Sequence, residues 1–316
     1  MEVRIVRKFA AADDICGFEL AREDGAALPA FTAGAHIDVH LDGGIVRQYS
    51  LCNSPAETHR YVIGVLREPA SRGGSVAMHA LAEGSVLRIS EPKNHFPLSE
   101  GATRSLLFAG GIGITPILGM AERLAALDAP FELHYCTREP ARAAFRDRLA
   151  EPRFAGCAHL YFDSAPVSER IDLAATLAAA APGTHLYVCG PAGFIAVVLD
   201  TARAAGWSEA QLHREYFAAA AQDHAAASGA FQVKLAASGR IVEVDHDETV
   251  IAALTAAGVD VPTSCEQGVC GTCLTRVLEG EPDHRDVYLT DDERAANDCF
   301  LPCCSRSKSP LLVLDL

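Results

Sequence analysis

Residues 265–273 read CEQGVCGTC, and the chain later adds CCSRS at 303–307. The spacing Cys265-x4-Cys270-x2-Cys273, followed after 29 further residues by Cys303, is that of four thiolates around the two irons of a plant-type [2Fe-2S] centre. Such a wrap needs a loop that bends sharply and aims its amide N–H groups at the sulfurs, and Gly268 and Gly271 supply that freedom. A structural zinc site would instead prefer two well-separated pairs of ligands. Cys303 and Cys304 are adjacent, so spacing alone leaves the fourth ligand open by one residue, with Cys299 and the other member of the pair read as bystanders. A cluster of this kind passes single electrons at about −400 mV. Something in the chain must load it.

Two upstream strings could hold a flavin. In RQYSLCNSP, residues 47–55, Arg47 can pair with a phosphate, Tyr49 can lie along a ring system and Ser50 can donate to ring or ribityl atoms, with Gln48 in the same string. In SRGGSVAMH, residues 71–79, Gly73, Gly74 and Ser75 open a short amphipathic stretch whose backbone amides suit an anion. A third string, SLLFAGGIGITPILGM at 105–120, reads as a strand, a turn through Gly110, Gly111 and Gly113, and a helix with Pro116 in its first turn and Thr115 placed to cap it. It is not the Gly-x-Gly-x-x-Gly fingerprint; taken alone it says that a backbone comes close to something at a sheet's carboxyl edge. YVCGPAGF, at 187–194, ends another strand with Cys189 and Gly190. Cys189 could line a nicotinamide pocket or be a small core residue.

The elements that must position these strings change character along the chain. From residue 1 to 101, short alternating runs (VRIVRKF, HIDVHL, YVIGVL, SVLRIS) between Gly, Pro and Asp turns suit a small antiparallel barrel. From 102 to 217, apolar strands alternate with Ala/Leu-rich helices, including one expected over ARAAFRDRLA, which argues a parallel sheet covered on both faces. Residues 218–230 read as a linker. From 231 to 316, FQVKLAASGRIVEVD reads as a hairpin, ETVIAALTAAG as a helix and LLVLDL as a strand, an α+β unit around the cysteines.

Composition narrows the function. The 316 residues are 49% hydrophobic, enough for two or three domains. A net charge of −14 with no long basic stretch makes nucleic acid and anionic membrane poor partners, and could steer the protein to a basic patch on another protein. No apolar run reaches the roughly 20 residues of a membrane span, the first residues do not read as a signal peptide, and a cytoplasmic location follows as the default. Thiols stay reduced there, and six of the eleven cysteines fall in the last 52 residues, so they read as a metal centre, not a disulfide framework. Most of the twelve histidines are scattered, and no hydrolytic constellation emerges.

Together RQYS, RGGS, AGGIGITP, CGP, the REYF at 214–217, CEQGVCGTC and CCSRS resemble the phthalate dioxygenase reductase family, in the order flavin barrel, nicotinamide domain, β-grasp ferredoxin, over nearly the whole chain. The resemblance implies that Arg47, Gln48, Tyr49 and Ser50 contact the flavin and that Gly73, Gly74 and Ser75 hold its phosphate. It places Gly110, Gly111, Gly113, Thr115, Cys189 and Gly190 on the nicotinamide side and Phe217 where an aromatic residue approaches the flavin. Thr115, Cys189 and Phe217 are thus the residues nearest the hydride transfer. The family's Cys-x-Ser-Arg form makes Cys303 the fourth ligand beside Cys265, Cys270 and Cys273. It further implies FMN rather than FAD, NADH as donor, a monomer, and a Rieske-type oxygenase as acceptor. NADPH stays open through Arg138 and Arg142. The rival readings are a reductase for a cytochrome P450 and a non-catalytic ferredoxin-type electron carrier.

Overall fold

A computed structural model describes residues 1–71, 73–178, 181–217 and 229–316. The expected linker, apart from residues 229 and 230, lies outside them. The chain divides into two compact units, Met1–Glu215 and Tyr216–Leu316.

The first unit holds two sheets. Strands β1 (Glu2–Ala12), β2 (Ile15–Ala21), β3 (His36–His40), β4 (Val46–Ser50), β5 (Tyr61–Leu66), helix α1 (Gly74–Ala80) and β6 (Val86–Ile89) come first. The strands pair antiparallel in the order β4-β3-β6-β1-β2-β5. Alternate residues of these short strands, among them Val3, Ile5, Phe18, Leu20, Ile37, Val39, Ile63 and Leu87, bury one face as a single core. Leu51, just past β4, bridges to Ile63 of β5, so the two edges of the sheet meet and the barrel closes.

Next come β7 (Arg104–Gly110), α2 (Ile114–Ala126), β8 (Phe131–Thr137), α3 (Arg146–Leu149), β9 (Ala158–Phe162), α4 (Leu173–Ala178), β10 (Thr184–Cys189), α5 (Ala192–Ala204) and β11 (Leu212–Glu215). The five strands are parallel, in the order β11-β10-β7-β8-β9. From β7 the chain moves outward through β8 and β9, then returns to β10 on the other side of β7. The carboxyl ends of β7 and β10 therefore flank a topological switch point, where open α/β sheets bind their ligands. Helix α2 is buried along nearly its whole length, and its carboxylate, Glu122, is met by Arg148 and Arg153.

One expected helix is broken. ARAAFRDRLA forms only a 3-10 turn at Pro140–Arg142 and the four-residue α3, because Phe145 adopts a left-handed φ of 58°. Ala143, Ala144 and Phe145 are drawn into the core under β8, where the Ala144 N–H donates to the Tyr135 hydroxyl. Tertiary anchoring overrides the helix propensity of the alanines.

The second unit comprises β12 (Phe231–Leu235), β13 (Ile241–Val244), α6 (Val250–Ala256), β14 (Thr275–Glu279), β15 (Pro282–Asp283), α7 (Asp291–Ala296), β16 (Cys299–Phe300), β17 (Arg306–Ser307) and β18 (Leu311–Leu314). Its main sheet runs β13-β12-β18-β14-β16, with β12 and β18 parallel, and β15 pairs with β17 alone. Thr249 caps α6 by accepting from the Ala252 N–H, and Val250, Ala253 and Leu254 form the stripe that packs on the sheet. Arg306, 6% exposed, donates to the carbonyls of Glu248, Asp245 and Gly229 and lies over the Phe231 ring. It ties the entry of the unit to its hairpin and helix. Arg306→Ala strands buried carbonyls and is expected to cost about 3 kcal/mol, read as an earlier loss of visible cluster absorbance on heating.

Candidate functional site

The barrel brings the first two strings together. Arg47 and Tyr49 project from the same face of β4, and α1 enters beside them. Gly73, at φ +87°, is the N-cap residue of α1, and a Cβ on Gly74 would lie 2.5 Å from Arg47 Cγ, so the arginine stem lies directly across the loop. The first N–H groups of α1 have no partner within the helix by position, and Ser75 Oγ accepts from the Glu68 N–H and donates to Ser71. A cation, free-ended amides and two hydroxyls around a bare backbone fit a flavin phosphate. Gln48 points to the other face, where its amide donates to Asp38 Oδ1 at 3.1 Å and lies 3.1 Å from His36 Nε2. Burial pushes the Tyr49 hydroxyl up to about 12, so it stays a neutral ring at any working pH.

The parallel sheet places the nicotinamide string at the switch point. Gly110 ends β7, Gly111 to Gly113 form a 3-10 turn, and a Cβ on Gly113 would lie 2.3 Å from the Cys189 carbonyl oxygen, while Gly190 packs on Gly110. The two turns thus close on one another, backbone to backbone. Thr115 does not cap α2. The helix begins at Ile114 with Gly113 in the N-cap position, because the 3-10 turn runs straight into it, and the Thr115 hydroxyl donates back to Ile112. Cys189 is fully buried, and burial pushes its thiol well up.

Glu215 was missed by the sequence reading. It ends β11 directly beside Cys189 in the sheet register, and the Ser50 hydroxyl of the barrel reaches its carboxyl. The residue as a whole is half-buried, but Oε2 is sealed from solvent without a hydrogen-bond partner among the described residues. Burial pushes the acid up to about 8, with Ser50 opposing. Ser50, Cys189 and Glu215 therefore meet where barrel and sheet join, one from each of three strands. The signal was present in REYF, where a carboxylate closes a strand of a parallel sheet, but only its phenylalanine was singled out. Phe217, 38% exposed, falls in the second compact unit.

In the second unit the cysteine sulfurs associate in two pairs, Cys265 with Cys270 and Cys273 with Cys303. Amides point at them: Gln267 and Val269 at Cys265, Thr272 at Cys270, Gly268 at Cys303. Two thiols per iron, wrapped by donor amides, fit a two-iron cluster. Among the described residues no three His, Cys, Asp or Glu side chains converge on a point suited to one ion. Gly268 and Gly271 both have φ near +70°, and Cβ atoms there would strike Cys304 Sγ and Asp286 at the first and the Tyr288 ring at the second. Cys303 is the member of the pair that reaches Cys273, and the Cys304 thiol lies beside it and against Gly268. Cys299 belongs to neither pair.

The chain is 56% identical, over the full length of both, to a vanillate O-demethylase oxidoreductase of Pseudomonas sp. (strain HR199 / DSM 7063). A solved phthalate dioxygenase reductase, described as a modular structure for electron transfer from pyridine nucleotides to [2Fe-2S], is 39% identical, with a TM-score of 0.78 covering 100% of this chain and 98% of that one. The chain belongs to the phthalate dioxygenase reductase family. Within it, residues 233–308 match the 2Fe-2S iron-sulfur cluster binding domain, and residues 90–212 match the N-terminal domain of dimethylamine monooxygenase subunit DmmA-like proteins. The family's three-part plan accounts for an antiparallel barrel, a parallel sheet and a mixed ferredoxin sheet in one chain. An intact type IV self-sufficient cytochrome P450 monooxygenase also matches, at 39% identity and a TM-score of 0.84, over 100% of this chain and 41% of that one. No helix among the described residues is long and apolar enough to cross a membrane.

Proposed function

We propose that this protein is the NADH-dependent reductase component of a Rieske-type oxygenase that hydroxylates or O-demethylates aromatic compounds. The observation that carries the reading is the junction of Ser50, Cys189 and Glu215 in a chain that also holds paired cluster thiols. Residues 1–101 then serve as the FMN barrel, 102–217 as the NAD domain and 231–316 as the ferredoxin.

When bound, the flavin accepts a hydride and releases its electrons singly to the iron–sulfur cluster. The chain's own residues bind and orient. Arg47 with the Gly73–Ser75 backbone holds the phosphate, and Tyr49 lies along the ring. The Gly110–Gly113 and Cys189–Gly190 turns receive the nicotinamide, Thr115 stiffens the first turn of α2, and Cys189 keeps water from the junction. Below about pH 8 Glu215 holds a proton and leaves the Ser50 hydroxyl available to the flavin. Cys265, Cys270, Cys273 and Cys303 hold the cluster.

NADH is favoured over NADPH because Arg142 is engaged by Asp14 and Glu139, at 3.5 and 3.4 Å, and is not held ready for a 2′-phosphate. An oxygenase partner with a basic docking patch is favoured by charge: residues 216–316 hold 16 Asp and Glu against 7 Lys and Arg, a net −9 of the chain's −14. Rieske centres lie at higher potential than plant-type clusters, so that transfer is downhill. A P450 acceptor is the second reading, favoured by the match to part of a self-sufficient P450; the end-to-end likeness to a stand-alone oxidoreductase weighs more. A cytoplasmic monomer is the simplest setting.

The test is an anaerobic NADH titration followed by absorbance and low-temperature EPR, with the released flavin identified by mass. Bleaching of FMN with appearance of a reduced [2Fe-2S] signal is expected. A cluster signal obtained only with an artificial reductant would favour the electron-carrier reading.

A further inference from the structure

Among the places where the barrel meets the parallel-sheet layer with a glycine on one side are Gly119 and Gly64. In α2, a Cβ on Gly119 would lie 2.7 Å from the carbonyl oxygen of Leu51, the residue after Ser50. That oxygen cannot swing aside. Leu51 is fixed by its N–H to Ala35 and by its bridge to Ile63 at the barrel seam. In β5, a Cβ on Gly64 would lie 2.9 Å from Thr115 Cγ2 and 3.1 Å from the Phe145 ring. Thr115 is 2% exposed, with its hydroxyl tied to Ile112. Thr115 and Gly119 are four residues apart and share one face of α2, so the same helix face rests on the barrel at both points. Ser50, Cys189 and Glu215 meet at the end of that contact.

We propose that Gly119 and Gly64 are positioning residues for hydride transfer: by letting α2 rest directly on the barrel, they set the separation between the flavin strand end at Ser50 and the turns that receive the nicotinamide. The inference rests on the reading of this unit as the flavin and nicotinamide site. A methyl group at either position levers α2 away from β4 and β5. Misplacement on the scale of 1 Å costs about 100-fold in rate. The loss falls on the rate at saturating NADH more than on NADH affinity, because the turns themselves remain intact.

The experiment is anaerobic stopped-flow reduction of the flavin by NADH in the full chain loaded with both cofactors. Gly119→Ala and Gly64→Ala are expected to bleach about 100-fold more slowly, with weakened long-wavelength charge-transfer absorbance, while flavin content and dithionite reduction of the cluster stay as in the parent. Thr115→Ser removes Cγ2 and keeps the hydroxyl, so Gly64→Ala/Thr115→Ser is expected to recover most of the rate of Thr115→Ser alone. Parent rates in both single variants, a loss matched by lost flavin, or a double variant as slow as Gly64→Ala would overturn the proposal. A parent chain whose flavin NADH does not bleach would overturn the reading of the site itself, and the proposal with it.

Discussion

Cys303→Ala is expected to abolish electron delivery to a protein acceptor while NADH still bleaches the flavin. Cys303 is the long-range member of its pair: it reaches Cys273 across 29 intervening residues, and Gly268 aims an amide at its sulfur. Alanine leaves one iron with a single thiolate. Cys304 is not expected to take its place, since Cys303 is the member of the adjacent pair that reaches Cys273. Cys265→Ser removes a ligand from the other pair, and the same loss is expected. Cytochrome c reduction should fall to background in both, with the EPR signal of the cluster lost, whereas stopped-flow flavin reduction stays near the parent rate. Because the thiols and the Ser50–Glu215 junction belong to different compact units, loss of both activities together would contradict the proposed division of labour.

The second large effect belongs to Glu215. In an unfolded chain it ionises near 4.5, and burial raises it to about 8 in the native state. The folded protein therefore holds a proton that the unfolded chain gives up. This contribution to stability is fully present below about pH 4.5, declines as pH rises, and is gone above about 8. At about 1.4 kcal/mol per pKa unit, Glu215→Gln should stabilise the protein by a few kcal/mol at pH 9 and hardly at all at pH 4, seen as a pH-dependent gap in melting temperature. The rate should follow the same proton. Above pH 8 the ionised carboxylate draws the Ser50 hydroxyl to itself, so flavin reduction by NADH slows in the parent, while the glutamine variant is flat across that range and becomes the faster of the two. A parent profile without a break between pH 7 and 9 would remove Glu215 from this role.

Much of the architecture was legible because each segment repeats one rule. HIDVHL and YVIGVL mark short barrel strands, which are buried along nearly their whole length, and the cysteine spacing marks the loop that binds metal. The missed pieces are those that depend on distant residues. AHLYF and LHRE, which form β9 and β11, are short and partly polar, and become strands by pairing with β8 and β10. The Ala-rich run at 141–150 loses its helix to the core under β8. Thr115 looked like a cap because a Thr-Pro pair usually opens a helix, and nothing local shows that the preceding glycine turn already does so. Glu215 escaped for a related reason: its chemistry comes from burial in the folded unit, beside Ser50, 165 positions earlier in the chain.

The pairing of Cys273 with Cys303 has a consequence for the lifetime of the folded state. Iron held by that pair would act as a removable cross-link, closing a loop that contains β14, β15, α7 and β16. All four elements are only two to six residues long, too short to hold their shape without neighbours. Iron therefore lowers the entropy of the alternatives to the native fold in that segment, much as a covalent bridge would. Loss of the metal is expected to open the segment from residue 274 to 302 to proteases, which would tie the lifetime of the ferredoxin half to the supply of iron.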